Sequence, residues 1–305
     1  MQVKTAIDEY RYNILHLSET TQVWYMVRLE RFAEWCAGQG IQMEDVKPSV
    51  IARYLHALAT NISEATNQKL SSFTVHGHAR TIRTFLYWSA KEPQNYLSIN
   101  VPANIAMPRT TKKIIETFSP IQIKALFASA GQECSPVLVA RDKAILALLL
   151  DTGIRVSELC DLTLEHIHIT AREGHIRVTG KGDKEREIGL GLKTRSYVQA
   201  YIKRYRKAPD DEPHVFLSRK NTPLTLNGLD QMIYRLAERA KITGVRASAH
   251  TFRHTFACNF LLQGGDVYVL SRLMGHSSVQ VTEIYARAVK AEQARKISKS
   301  VFDNL

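Results

Sequence analysis

Long apolar runs are missing from this chain. The most extended, Ala144 to Leu150, is seven residues long and is closed off by Lys143 and Asp151. A bilayer crossing needs about 20 consecutive apolar residues, so no membrane span is expected. The first thirty residues carry polar and charged groups throughout, with no apolar stretch ahead of a small-residue cleavage site, and no export leader is expected. Cysteine is scarce. Cys36, Cys134, Cys160 and Cys258 are scattered, without the paired spacing of a zinc site or of a disulfide framework, which fits a reducing, cytoplasmic setting. Histidine pairs occur at His76/His78, His166/His168 and His250/His254. None has a cysteine or carboxylate set beside it, so no metal and no other cofactor is expected.

What is abundant is positive charge. Forty-one Lys and Arg stand against 29 Asp and Glu, a formal net charge of +12. Residues 1–110 hold 11 basic and 9 acidic side chains, and residues 111–305 hold the other 30 and 20, so the excess is +2 in the first part and +10 in the second. That asymmetry points to a polyanionic partner, nucleic acid before others, engaged mainly by the second part. A length of 305 residues with 45% apolar content suits two globular domains.

Periodicity divides the chain in the same place. Helical spacing runs from Thr20 to Gly38 (Val23, Met26, Val27, Leu29, Phe32, Trp35), from Pro48 to Leu58, and from about Thr74 to Ala90. All three tryptophans fall in this part and are expected in its core. Asn100 to Lys113 breaks the pattern with Pro102 and Pro108 and ends basic at Arg109, Lys112 and Lys113, the signature of a linker or a basic strap. The expected division is a helical domain over 1–105, a basic linker over 106–117, and a second domain over 118–305.

The second domain opens on Ser119-Pro120, an N-cap followed by the first helical position. Pro136 to Leu150 is apolar nearly all round and reads as a buried central helix. From Ile167 to Leu190 the period changes to two around the turn Gly180-Lys-Gly-Asp183, which predicts a small antiparallel sheet. Helices are expected again over Thr194–Arg206, Thr225–Ala240, His250–Gln263, Val267–Met274 and Gln280–Val301. The fold class is therefore mainly α with one small antiparallel β-sheet.

Several groups in the basic part suit attack on a phosphodiester, whose negative charge gathers on two non-bridging oxygens. Arg155 and Arg253 offer planar guanidiniums able to donate paired hydrogen bonds there. His276 adds a donor. Tyr285 supplies a nucleophile whose phenol, with an ordinary pKa of about 10, needs a proton acceptor, and His250 is the expected one. Lys181, at the tip of the glycine-flanked turn, suits protonation of the departing hydroxyl. Glu158, three residues beyond Arg155 on one helical face, is expected to orient Arg155 or His250. Arg80 and Arg83 in the first domain, Lys112 and Lys113 in the linker, and Arg235 and Arg239 beside Asn227 and Gln231 are candidate DNA contacts.

The order and local sequence of these groups resemble the tyrosine recombinase (phage integrase) family. The matching stretches are Thr152-Gly-Ile-Arg-Val-Ser-Glu-Leu159, Gly180-Lys-Gly-Asp-Lys-Glu-Arg186, His250-Thr-Phe-Arg-His-Thr-Phe-Ala257 and Leu273-Met-Gly-His-Ser-Ser-Val-Gln-Val-Thr-Glu-Ile-Tyr285. The likeness is to short Xer-type or transposon-borne members. It implies a helical core-binding domain followed by a mixed α+β catalytic domain, clamped around double-stranded DNA. It also implies a 3′-phosphotyrosyl intermediate at Tyr285, needing neither ATP nor metal. Four protomers would act on two sites, alone or with a paralogous recombinase, and a tail over residues 286–305 carrying Val289, Ile297 and Val301 would dock on a neighbour. Asp151 departs from the family pattern, being a charge where an uncharged residue precedes Thr-Gly. Two other readings share the sequence features, a type IB topoisomerase and a DNA-binding relative that no longer reacts. A metal-dependent transposase is disfavoured because no convincing carboxylate triad accompanies the tyrosine set.

Overall fold

The structure, a computed structural model, describes residues 1–63, 67–111, 115–180, 184–209 and 211–297. Lys112, Lys113, Lys181 and Val301 lie outside the described residues, as does the side chain of Ile297. The chain divides into two compact units, Met1–Lys113 and Ile114–Leu305.

The first unit is helical: α1 (Val3–Asn13), α2 (Glu19–Gly38), α3 (Pro48–Thr60), a two-residue hairpin β1 (Ile62–Ser63) and β2 (Gln68–Lys69), α4 (Ser72–Ser89) and the single turn α5 (Asn100–Ala103). Its core joins Ile7 of α1, Leu29 and Phe32 of α2, Ile51 of α3 and Ile82 and Phe85 of α4. Helix α1 was not foreseen. Its apolar positions, Val3, Ala6, Ile7 and Tyr10, do follow i, i+3, i+4, i+7 spacing, but small and polar neighbours mute the signal. On α2 the buried face is Met26, Leu29, Phe32, Ala33 and Cys36, whereas Val23 and Val27 point to solvent. Trp35 and Trp88 pack against the core as expected. Trp24 does not: it is 37% exposed, and the Arg28 guanidinium lies 3.7 Å above its ring.

The second unit is built around α7 (Pro136–Thr152), preceded by α6 (Pro120–Ala130), whose N-terminus is closed by the reciprocal Ser119–Gln122 capping bonds. Helix α7 buries Ile145, Leu146, Leu148 and Leu149 on several sides, as its apolar circumference requires. A short α8 (Val156–Cys160) follows, then the antiparallel meander β3 (Ile167–Ile169), β4 (Gly174–Gly180) and β5 (Lys184–Gly189). In the β4–β5 register Ile176 faces Ile188 and Val178 faces Arg186. The remaining helices are α9 (Leu192–Ala200, continued by a π-turn to Tyr205), α10 (Leu226–Arg239), α11 (Ala249–Leu262), α12 (Val267–Met274) and α13 (Val279–Ile297). Asp151, the unusual charge, finds a partner across the fold, accepting the Gly191 N–H at 2.7 Å. Val289 of the tail stripe is buried with Tyr285, Phe256, Leu270 and Met274 of its own unit. Among the described residues no helix is long and apolar enough to cross a membrane.

Helix α7 stops because Gly153 adopts φ +59°, the left-handed conformation that closes many helix C-termini. A Cβ there would sit 2.3 Å from the Phe256 ring of α11. Gly153→Ala is expected to cost about 3 kcal/mol, combining left-handed strain with overpacking, and to lower the melting temperature in calorimetry. An unchanged melting temperature would mean that the α7–α11 contact is loose.

Candidate active site

The turn after Gly153 brings the chain back into helix at Arg155, which sits at the N-cap of α8. One turn later, Glu158 folds back. Its Oε2 accepts the Arg155 backbone N–H at 2.8 Å and its Oε1 accepts Arg155 Nη1 at 2.8 Å. The same carboxylate accepts two bonds from Arg186 of β5, Nη1 to Oε1 at 2.9 Å and Nη2 to Oε2 at 2.7 Å. Burial by itself would raise the Glu158 pKa. The bonds from Arg186 and from the Arg155 backbone, with the Arg186 charge, outweigh burial and hold it below the ordinary glutamate range.

A second set of acceptors gathers the same cations. The last carbonyls of α12 have no partner within the helix, and the turn at Gly275 (φ +62°) exposes them. Three guanidiniums take them in succession. Arg186 Nε donates to the Leu273 carbonyl at 2.7 Å, Arg253 Nη2 to Met274 at 2.6 Å, and Arg155 Nη2 to Gly275 at 2.6 Å. Arg253, 6% exposed on α11, also donates through Nη1 to the Gly153 carbonyl at 2.6 Å. Its pKa is lowered to about 10, first by burial and then by Arg155, so it stays charged at neutral pH. These bonds fix each guanidinium without using all five of its N–H groups. Two of these three cations, Arg155 and Arg186, pair with the Glu158 carboxylate, which leaves a surplus that favours an incoming anion.

His276 follows directly. Its Nε2 lies 3.0 Å from Arg253 Nη2 and its Nδ1 lies 2.7 Å from the hydroxyl of buried Thr282. Because arginine only donates, Nε2 is the acceptor, so Nδ1 carries the proton toward Thr282. Burial first, then the charges of Arg253, Arg155 and Arg186, lower the His276 pKa to about 4. The imidazole is therefore neutral.

Tyr285, on α13, is 3% exposed. Burial raises its pKa, while the Arg253 charge opposes the rise. Its hydroxyl lies 2.9 Å from Nδ1 of His254, not from His250. His250, the proton acceptor expected from the sequence, is exposed one turn earlier on α11, its ring stacked on that of His254 at 6.5 Å between centroids. The structure places the second member of this i, i+4 pair, His254, and not His250, within hydrogen-bonding distance of the phenol. Glu158 likewise orients Arg155 and Arg186 rather than His250.

Of the expected site residues, Arg155, Arg253 and His276 come together around the α12 end, and Arg253 acts electrostatically on Tyr285. Lys181 lies outside the described residues. Arg186, His254 and Thr282 were missed. The period-two alternation that buries Ile188 also turns Arg186 inward, a signal available in the sequence. Arg235 and Arg239, read as candidates for base edges, are instead held on buried Glu133 at 3.1 and 3.2 Å, with Arg235 also 3.3 Å from Asp142. Arg235 is half-buried and Arg239 exposed, so each keeps part of its surface open while it pairs with Glu133. In the first unit Arg80 is exposed on α4, whereas Arg83 is half-buried beside Tyr87.

Comparison with known proteins shows the family. The model of the phage integrase family matches residues 116–292. Tyrosine recombinase XerC of Thermodesulfovibrio yellowstonii is 33% identical over 254 residues, 80% of this chain and 79% of that protein. Tyrosine recombinase XerD of Shewanella oneidensis is 30% identical over 279 residues, 90% and 88% of the two chains. Among solved structures, the XerH site-specific recombinase bound to palindromic difH substrate aligns with a TM-score of 0.79 at 18% identity, covering 97% of this chain and 84% of that one. A lambda integrase dimer bound to a core site aligns with a TM-score of 0.71 at 16% identity, covering 93% and 95%. The chain belongs to the phage integrase family. It is an enzyme of the tyrosine recombinase type, the resemblance on which the sequence reading rested.

Glu158→Gln is expected to lower stability at neutral pH by about 3 kcal/mol, the low end for breaking a buried pair because the Arg155 side chain keeps 35% of its exposure. A carboxylate with a depressed native pKa stabilises above its unfolded value of about 4.3, and that contribution is lost as pH falls through the native one. The gap between parent and variant should therefore close on acidification in denaturant titrations. A gap independent of pH would contradict the ion-pair assignment.

Proposed function

We propose that this protein is a site-specific DNA recombinase that cleaves and rejoins duplex DNA with Tyr285 as nucleophile, Arg155 and Arg253 as the clamp on the scissile phosphate, and His276 as a further donor. The observation that carries the reading is the surplus of positive charge at the α12 end: three guanidiniums are fixed on successive carbonyls, and the Glu158 carboxylate pairs with two of them, Arg155 and Arg186. Donors fixed before the reaction need no reorganisation as charge develops on the phosphate oxygens.

In this reading the Tyr285 oxygen attacks phosphorus, a 3′-phosphotyrosyl bond forms, and the bond to the 5′ oxygen breaks. Lys181 gives the departing oxygen its proton. A 5′ hydroxyl from a partner strand then reverses the step. Because the covalent intermediate keeps the energy of the broken link, the exchange draws on neither ATP nor a metal ion. The bound phosphate also acts on His276. Its negative charge opposes the three arginine charges that, after burial, disfavour the imidazolium, and so shifts Nε2 toward the protonated, donating form.

Arg80, Arg83, Lys112 and Lys113 are assigned to backbone phosphates of the duplex, where cations position without reading sequence. The acting assembly is a tetramer on two DNA sites, with or without a paralogous recombinase. The docking tail begins beyond Val289, since that residue belongs to the core of its own unit.

Sequencing genomic DNA fragments that become covalently attached to the protein identifies the target, and a nicked duplex of that sequence then traps the adduct. Tyr285→Phe should bind this duplex with near-parental affinity and give no adduct on denaturing gels. Arg155→Ala and Arg253→Ala should slow adduct formation by roughly 100-fold or more with a much smaller loss of binding, the scale seen when one preorganised donor is removed. Equal losses in both would make these arginines DNA-positioning groups. Deleting residues 293–305 should reduce synapsis and strand exchange while single-site binding persists. Unchanged exchange would remove the docking role.

A further inference from the structure

We infer that His254 takes the phenolic proton of Tyr285 during cleavage, and so is a catalytic residue of that step; the inference rests on Tyr285 being the nucleophile. An acceptor for that proton has to lie within roughly 2.6–3.2 Å of the hydroxyl. Among the described residues the group so placed is Nδ1 of His254, at 2.9 Å, with the two rings 5.5 Å apart between centroids.

The surroundings suit the task. The groups facing the imidazole are His250 and Arg253 from its own helix and Tyr285 from α13. Burial, then His250 and Arg253, favour the neutral ring, which leaves Nδ1 a lone pair to accept the hydroxyl. Arg253 and His254 are consecutive on α11, so about 100° of helical rotation separates them. One side chain reaches the carbonyls of the α12 end while the next meets the phenol. A single rigid helix thereby sets the nucleophile's acceptor against the phosphate clamp.

The step balances. The O–H bond of Tyr285 breaks and its proton moves to His254 Nδ1. The phenolic oxygen bonds to phosphorus, and the 5′ oxygen leaves with a proton supplied from the other side. On rejoining, the incoming 5′ hydroxyl gives its proton back to the group that supplied it, its oxygen bonds to phosphorus, and the displaced phenolic oxygen takes the proton returned by the imidazolium. The nearby Arg253 charge makes that imidazolium a willing donor, which suits a reaction that must run in both directions.

The test uses the full-length protein and the nicked duplex carrying its trapped site. His254→Asn keeps a hydrogen-bond acceptor of similar reach but cannot take up a proton. It should bind DNA normally and form the adduct about 100-fold more slowly, the lower end for loss of general base catalysis. Replacing Tyr285 by a fluorinated tyrosine in the His254→Asn background should recover at least about tenfold of that loss, because a more acidic phenol depends less on its acceptor. A merely structural role for His254 would give no such recovery. An adduct rate within about threefold of the parent, or no recovery with the fluorinated phenol, would overturn the inference. His254→Gln carries the same test if the Asn variant loses DNA binding. A persisting adduct in Tyr285→Phe would instead sink the nucleophile assignment, so the two failures are distinguishable.

Discussion

Three arginines seated on three consecutive carbonyls at the end of α12 form the constraint on which the site depends. They come from the N-cap of α8, from β5 and from α11, pieces of chain that lie far apart in sequence. Helix ends leave carbonyls unpaired and carry partial negative charge, so cations are favoured there. Gly275 makes the arrangement possible: a Cβ at that position would lie 2.9 Å from the Arg186 guanidinium and 3.2 Å from that of Arg155. A short helix with a glycine turn thus acts as the keel to which three distant pieces of chain are tied.

The same seating creates an electrostatic imbalance. Glu158 compensates only part of the charge it gathers, and the residue of the field is felt by the neighbouring groups. It lowers His276 to about 4, after burial, and it opposes the rise of the Tyr285 pKa that burial imposes. Burial and this field together favour neutral imidazoles at His254 and His276, whereas on the Tyr285 phenol the two act in opposite directions.

Much of this was legible in the sequence because it depends on short-range rules. Ser119 and Gln122 announce a capped helix, the apolar circumference of α7 announces a central one, and the change to period two announces the sheet. Arg155, Arg253, His276 and Tyr285 were picked out because their residue types in that order suit phosphoryl transfer. The failures have physical reasons too. Helix α1 hides its stripe among small and polar residues. Val23 and Val27 fit helical spacing yet face water, because the partner helices contact the adjoining face of α2. Arg235 and Arg239 look free in one dimension, and only the packing of α10 brings Glu133 to them.

By itself, then, the sequence determined the elements, their order, the surplus of basic charge and the inventory of reactive groups, since capping, periodicity and composition act over a few residues at a time. Only the tertiary structure decided which imidazole meets the phenol and which carboxylate serves which guanidinium. His250 and His254 differ by one helical turn and are chemically alike. The choice between them is made by where α13 lays Tyr285 against α11, a long-range packing contact that no local rule contains.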